Sequence, residues 1–459
     1  MNSRSLNPIA RVASSFSPAA MPLMSRRAYR WELTAAFFLP ASLACVDGNM
    51  VGVIAEKAFD APALVIATLG AATPLANITS ALWTKALHGA HRVRAIIAIQ
   101  AALLACAALI MIAPVSTAGL ALLVAGVVLG RVCMTGIMNA RSDVWRANYP
   151  RSDRARVTGK LAAVNAFIIG ASSLSVGLLM DRAGASPNAY RIFYGAAIAL
   201  GIVGIWCFAH IRWRGGVKHQ RTEQQQRADS GKGVSTKDMI AVLKRDHLYR
   251  RYMIAQFILG MSNLAAMPLF IVALGEVFTL AYTPSLLLTH IIPITMPILS
   301  IPLWARLLDR THIIQFRVFH SWFFVAANIL LALGFLTDNI AVITAARFIL
   351  GVAFGGGMLA WTLGHHDFAS REMASIYMGI HATLTGVRGA IAPYLGTLIY
   401  APVTITVGAT TIAWGGIGPW TFLLLAWLGS IGALLFLRLF IEQRRLARER
   451  GITTTPPAD

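Results

Sequence analysis

Twelve uninterrupted runs of apolar residues, each roughly 20 residues long, punctuate this 459-residue chain and leave it few ways to fold. A helix rises about 1.5 Å per residue, so roughly 20 residues cross the ~30 Å hydrocarbon of a bilayer. In the first half the runs are Trp31–Ala55, Ala63–Trp83, Val93–Ala113, Ala118–Ala140, Leu161–Met180 and Ile192–His210. In the second half they are Tyr252–Phe278, Pro284–Trp304, Val318–Leu336, Ile340–Leu363, Ile376–Tyr400 and Trp420–Phe440. They are continuous rather than alternating, which excludes a membrane β-barrel. Helices are the remaining way to satisfy a backbone in lipid. Composition agrees, with 57% hydrophobic and 13% charged residues, the latter well below the roughly 25% of soluble domains. The expected fold is an all-α membrane protein of about twelve transmembrane helices.

A net charge of +21 raises the question of nucleic acid, and the distribution of that charge answers it. With the N-terminus in the cytosol, the outer loops receive only Lys57, Arg182 and Arg191, and only Arg131, Arg347 and Arg388 fall within helices. The remaining Lys and Arg lie on the inner side, the pattern that orients membrane proteins. The expectation is a multi-pass protein of the cell (inner) membrane with both termini cytosolic. Its basic surface meets anionic lipid, and no nucleic-acid partner is required. Cys45, Cys106, Cys133 and Cys207 sit inside apolar runs, where free cysteine behaves as a small hydrophobe. No metal-ligand spacing occurs. The first 28 residues are Ser- and Arg-rich without an acid, as in transit peptides, but lack a signal core with a cleavage site. They read as a cytosolic tail, with organelle targeting as the alternative.

The longest polar interval, Arg212 to Arg250, separates six runs from six. This sets a cytosolic tail at 1–30, a six-helix bundle at 31–211, a linker at 212–250, a second bundle at 251–440 and a tail at 441–459. Sliding the sequence by 220 residues superposes Tyr29 on Tyr249, Leu39 on Leu259, Ser42 on Ser262 and Glu56 on Glu276. A shift of 221 superposes Trp83 on Trp304 and His91 on His312. These matches fall at equivalent ends of equivalent helices, the mark of an internal repeat.

Three local features resemble the major facilitator superfamily. The stretch Leu303-Trp-Ala-Arg-Leu-Leu-Asp309-Arg310-Thr-His312 is similar to the family's cytosolic loop motif, and Leu82-Trp-Thr-Lys-Ala-Leu-His88-Gly89 is a degraded copy. In that copy His88 and Gly89 stand where Asp and Arg belong. Arg131 with Gly136, and Arg347 with Gly351 and Gly355, are similar to the family's helix-4 arginine motif. Tyr149-Pro150 through Gly159 resembles the loop between helices 4 and 5. The resemblance implies two six-helix bundles that rock around a central cavity, lined largely by helices 1, 4, 7 and 10. The antiporter signature, a Gly-Pro on helix 5, is absent from Gly170 to Gly177.

Charges deep in lipid are costly, which makes intramembrane ionisable groups the first functional candidates. Asp47 is the acid well inside a run, and reads either as a coupling carboxylate or as the partner of an arginine. For Arg131 interhelical pairing with Asp47 or with backbone carbonyls is favoured. Arg347 and Arg388 either bind an anionic solute through their planar forks or pair between helices. His381, Thr385 and Arg388 share one helical face. Ser262, Asn263 and His290 line a cavity or hold helices together. His88, Asp309 and Arg310 in the loop motifs, with His365, His366 and Asp367 at the end of helix 10, are gating candidates, or simply a solvated helix end. A metal site there is disfavoured because adjacent side chains on a helix fan apart.

The reading is a secondary-active transporter of a small solute, with a lean towards one bearing an acid group, coupled to a proton or another ion. Its expected partners are the solute, the bilayer and the coupling ion. No cofactor is expected, the chain is expected to be monomeric, and no Walker-type phosphate loop supports an ATP-driven pump. A facilitative uniporter is the near alternative. A membrane enzyme at His365–Asp367, or a non-transporting receptor, is the distant one.

Overall fold

The computed structural model describes residues 14–449 apart from 185, 230–235, 371–372 and 408–409. Twelve long helices account for nearly all of it. In the first half they are α1 (Leu23–Phe59, broken near Asp47), α2 (Ala63–Ile78, bent by 44° into Ser80–Leu87), α3 (Arg92–Met111), α4 (Thr117–Asn148), α5 (Arg151–Arg182) and α6 (Pro187–Ala209). In the second half they are α7 (His247–Val277), α8 (Tyr282–Leu308), α9 (Ile313–Leu336), α10 (Ile340–Leu363), α11 (Ala374–Tyr400) and α12 (Trp420–Glu449). Ten of these are long and apolar enough to cross a membrane, and bent α2 makes an eleventh. The remaining one, α11, has the length at 27 residues but carries His381, Thr385 and Arg388 in its middle. Two short helices, Gly216–Asp229 and Thr236–Arg245, occupy the interval between the halves.

Helix edges depart from the apolar runs where polar groups find protein partners. α1 starts at Leu23, eight residues before the first run, because Ser25 Oγ donates to the Asn148 carbonyl (2.8 Å) and fixes that turn against α4. Asp47 does not sit inside a continuous helix. Its backbone is extended, and its carboxylate caps the second segment, Gly48–Phe59, by accepting from Asn49 N at 2.9 Å. α8 contains a π-turn at Leu287–Ile291, which displaces His290 from the regular helical register. A departure from an all-helical chain lies between α11 and α12. Strands β1 (Val403–Val407) and β2 (Thr410–Trp414) pair antiparallel with Val403 opposite Trp414.

The duplication is visible in packing. In the first half α1 rests on α5 and α6, α3 on α4 and α6, and α2 on α4. The same pairs recur six helices later, α7 on α11 and α12, α9 on α10 and α12, and α8 on α10. Trp83 Nε1 donates to the Val132 carbonyl at 2.9 Å, and Trp304 Nε1 donates to the Val352 carbonyl at 2.8 Å. Each indole lies on a glycine four residues further along: a methyl at Gly136 would stand 2.7 Å from Trp83, and one at Gly356 3.0 Å from Trp304. Leu39 and Leu259 likewise seat against Gly204 and Gly432 on the sixth helix of each half. The matches at a shift of about 220 residues are thus equivalent packing contacts in two six-helix bundles.

Between the halves, α2 packs on α11 and α7, and symmetrically α8 packs on α5 and α1. On the face away from the helices Gly216–Asp229 and Thr236–Arg245 polar contacts join the halves. There the Asp181 carboxylate accepts from Tyr282 N (2.7 Å) and Thr283 N (3.0 Å), and Lys57 Nζ donates to the Leu280 carbonyl (2.9 Å). We call this the far face and the opposite one the linker face.

Candidate functional site

A cavity of about 750 Å³ opens between the halves. Its border runs along Gly159–Ala166 of α5, Gln256–Leu264 of α7, Pro293–Pro302 of α8, Phe354–Thr362 of α10, and Arg317, Phe324 and Arg388. The stretches of α5, α8 and α10, with the α9 residues, belong to the helix portions nearest the linker face, so the cavity opens there while the far face is sealed. Among the described residues bordering it, the first half contributes only α5. The family resemblance led us to expect helices 1 and 4 as well. Their polar groups are engaged elsewhere.

Most of the wall is aliphatic or aromatic, and its polar side chains gather in few places. Arg388 is 6% exposed. One guanidinium nitrogen donates to the Gln256 carbonyl at 2.7 Å and another to Thr385 Oγ1 at 3.2 Å, while Nε has no partner. The guanidinium lies over Gly260, where an added methyl would stand 2.2 Å from it. A glycine here lets the charge lie flat on the α7 backbone. Thr385 Oγ1 in turn donates to the His381 carbonyl, so the expected face of α11 is assembled. His381 is fully buried beside Trp361, at 6.0 Å between rings, and neither ring nitrogen has a partner.

Arg317 was not among the sequence candidates. It is 1% exposed, borders the cavity from α9, and leaves its Nε unpartnered. One of its terminal nitrogens meets His320 Nδ1 at 3.2 Å, and His320 Nε2 meets the Ala353 carbonyl at 2.8 Å. Because a carbonyl only accepts, Nε2 carries the proton and Nδ1 accepts from Arg317. Neither Arg317 nor Arg388 makes an ion pair among the described residues, and no acidic side chain borders the cavity.

A second polar system joins the halves beneath the far face. Arg131 on α4 donates to Asp47 Oδ2. Asp47 Oδ1 lies 3.4 Å from His290 Nε2 on α8, and His290 Nδ1 lies 2.8 Å from Ser173 Oγ on α5. Ser173 Oγ also lies 3.0 Å from the Ile169 carbonyl, so its single proton has two takers. If it goes to Ile169, His290 donates from both nitrogens and is an imidazolium. If it goes to His290, the ring is neutral and donates only to Asp47. One arrangement of heavy atoms therefore accommodates two protonation states.

The other sequence candidates separate from the cavity. Arg347 is buried and donates to the carbonyls of Leu288 (2.7 Å) and Thr289 (3.2 Å), with its guanidinium 4.2 Å from the centre of the Phe270 ring. It braces the π-turn that carries His290. Ser262 ties α7 to α12 and α9, donating to the Leu425 carbonyl and accepting from Asn328, whereas Asn263 borders the cavity. Asp309 and Arg310 are exposed at the α8–α9 turn. Asp367 caps α9 by accepting from Ile313 N at 2.7 Å, and His365 and His366 lie 4.1 Å apart beside it. No cluster suited to a metal occurs among the described residues.

His88 and Gly89 are clasped by the helix Gly216–Asp229. Glu223 accepts from Gly89 N (2.9 Å) and from Arg92 (2.7 Å), and its carbonyl meets His88 Nε2 at 2.9 Å. The loop whose motif lacks an acid receives one from the linker. Glu32 was also passed over because it stands near the end of its run. It is fully buried and accepts from Trp145 Nε1 at 2.9 Å.

The model of the Major Facilitator Superfamily matches residues 33–393. The chain belongs to the major facilitator superfamily. Solved members of similar fold include the nucleoside transporter NupG, 14% identical with a TM-score of 0.64, covering 90% of this chain and 99% of that one. The peptide transporter POT in complex with sulfate is 14% identical with a TM-score of 0.62, covering 94% and 98%. The inward-open xylose transporter XylE from E. coli is 12% identical with a TM-score of 0.63, covering 90% and 95%. At these identities the likeness is one of fold. No curated protein sequence matches the chain. This superfamily member is a multi-pass membrane protein and a transporter.

Proposed function

We propose that this superfamily member is a secondary-active transporter of a small solute bearing an acid group, coupled to protons by alternating access. The observation that carries the reading is the pair of buried arginines, Arg317 and Arg388, facing a cavity without a carboxylate. A buried guanidinium without a counter-charge is costly, and an anionic solute supplies that charge. The positive-inside distribution supports a cytosolic linker face, and on that reading this conformation is inward-facing.

Proton coupling is assigned to Asp47 and His290. Their contact spans the two halves and forms only while the far face is closed. Because that contact exists in only one of the two states, proton binding at the pair and closure of the far face are linked. Arg131 holds the Asp47 carboxylate aimed at α8. Asp309, Arg310, His365 and His366 lie on the linker face, where the halves meet in the alternate state.

Uptake into proteoliposomes of a radiolabelled panel of small organic and inorganic anions under an imposed pH gradient tests this. Wild type should concentrate at least one of them above equilibrium. Asp47→Asn and His290→Gln should equilibrate the same solute without concentrating it. Transport that ignores the gradient would replace coupling with facilitative uniport. Transport of cations alone would remove the anion reading.

A further inference from the structure

We infer that the solute is an organic anion with one acidic head and an apolar, ring-sized body, the head held by Arg317 and Arg388 and the body by the wall around Trp361. This deepens the proposed function and rests on the cavity being the solute site.

The head follows from charge and geometry. Both guanidinia border the cavity, both are more than nine-tenths buried, and each keeps an unpartnered Nε. Arg388 is held in place by the Gln256 carbonyl and Thr385, and Arg317 by His320. These anchors fix the planes of the forks before a ligand arrives. Planar forks suit a carboxylate or a phosphonate, and pre-organisation lowers the cost of binding one.

The body follows from what the rest of the wall lacks. Away from the arginines, the polar side chains among the described bordering residues are Gln256, Asn263 and Thr362, and the others are glycine, proline, methionine, aliphatic or aromatic. A sugar or nucleoside brings several hydroxyl or base groups, and each one buried without a partner costs free energy. A second acid group on the solute would face Phe324, Phe354 or Met358. An apolar body instead gains about 25 cal/mol per Å² removed from water. A cavity of about 750 Å³ accommodates a ring system with its head group, being within the range of sites that enclose drug-sized ligands.

The test uses the purified full chain in lipid nanodiscs and calorimetry with five probes. They are 3-phenylpropionate, its alcohol 3-phenylpropanol, acetate and xylose, with 3-phenylpropylphosphonate to distinguish the kind of head. Phenylpropionate or the phosphonate should bind saturably, at least about 100-fold more tightly than the alcohol or acetate. Xylose should not bind. Arg317→Ala and Arg388→Ala should each weaken binding by about 30-fold or more, and the Lys replacements by less. Gly260→Ala removes no charge but displaces the Arg388 guanidinium, and should weaken binding too. Melting temperature and monodispersity identify variants that fold, and if the Ala variants do not, the Lys and Gly260→Ala variants decide. Alcohol binding as tight as the acid, preferential xylose binding, or no saturable binding of either acid would overturn the inference. Acid binding that survives Arg317→Lys, Arg388→Lys and Gly260→Ala unchanged would also overturn it. Proton-driven transport of a small anion without an apolar body would leave the proposed function standing while this inference fell.

Discussion

Arg347 spends its guanidinium on the chain itself. It hydrogen-bonds the carbonyls of Leu288 and Thr289, which the π-turn of α8 leaves available, and lies against Phe270. Arg347→Ala should therefore lower stability by about 1–3 kcal/mol, the range for charged hydrogen bonds within a protein, and leave solute affinity in the folded protein unchanged. Arg388→Ala should do the reverse. Melting temperature and calorimetry on both variants separate the two roles, and weakened affinity in Arg347→Ala would place that residue at the solute. Asp47, Arg131 and Arg388 were legible in the sequence because a charge inside an apolar run is conspicuous. Arg317 was not, because it stands one residue before the run Val318–Leu336 and counts as a loop cation on hydropathy alone. Its only sequence signal is His320 three residues on, which places both on one helical face. Ser173 carries no signal: a serine among small apolar residues becomes informative only when α8 brings His290 to it.

At the scale of elements, the clearest addition to the sequence reading is the clasp between the helix Gly216–Asp229 and the α2–α3 turn. Arg92 is its node, since it also meets Asp143 of α4 at 2.8 Å, so one guanidinium joins α3, α4 and the linker. Glu223→Gln should release the Gly216–Asp229 helix. Amide exchange there should rise by about ten-fold or more, as expected for losing a charged hydrogen bond, with α4 unaffected. Arg92→Gln leaves the Asp143 and Glu223 carboxylates without their shared cation, and should destabilise the whole first half. Equal, local effects of the two substitutions would contradict this hierarchy. The duplicated units were visible as spaced matches, and the structure explains them as helix contacts. Gly136→Ala, which would bring a methyl 2.7 Å from Trp83, should cost about 1–3 kcal/mol by overpacking. The β1–β2 hairpin had a signal too. Val403-Thr-Ile-Thr-Val407 is β-branched throughout, but it stands between two stronger apolar runs and read as a connection.

At the scale of the molecule, the two halves meet through symmetric helix pairs, and polar groups divide the labour by depth. Asp181, Lys57 and the Asp47–His290 contact close the far face, while the arginines face the open cavity. The sequence carried the helices, their duplication and the charges that stand well inside apolar runs. It could not carry the conformation, since which face is sealed depends on contacts between residues more than a hundred positions apart. The central claim is that protonation and the closing of the far face are one equilibrium. His290 meets Asp47 only while the far face is closed, so its proton affinity differs between the two states and linkage requires that pH shift their balance. Spin labels at Asn188 and Thr337 report the far face, and labels at Ala86 and Arg310 the linker face, in a background where the four native cysteines are replaced. Electron–electron distance measurements should show the far-face and linker-face pairs changing in opposite senses between pH about 5.5 and about 8.5, the range in which histidine titrates. Asp47→Asn and His290→Gln should abolish that response. Distances that do not change with pH, or a response that survives both substitutions, would contradict the account.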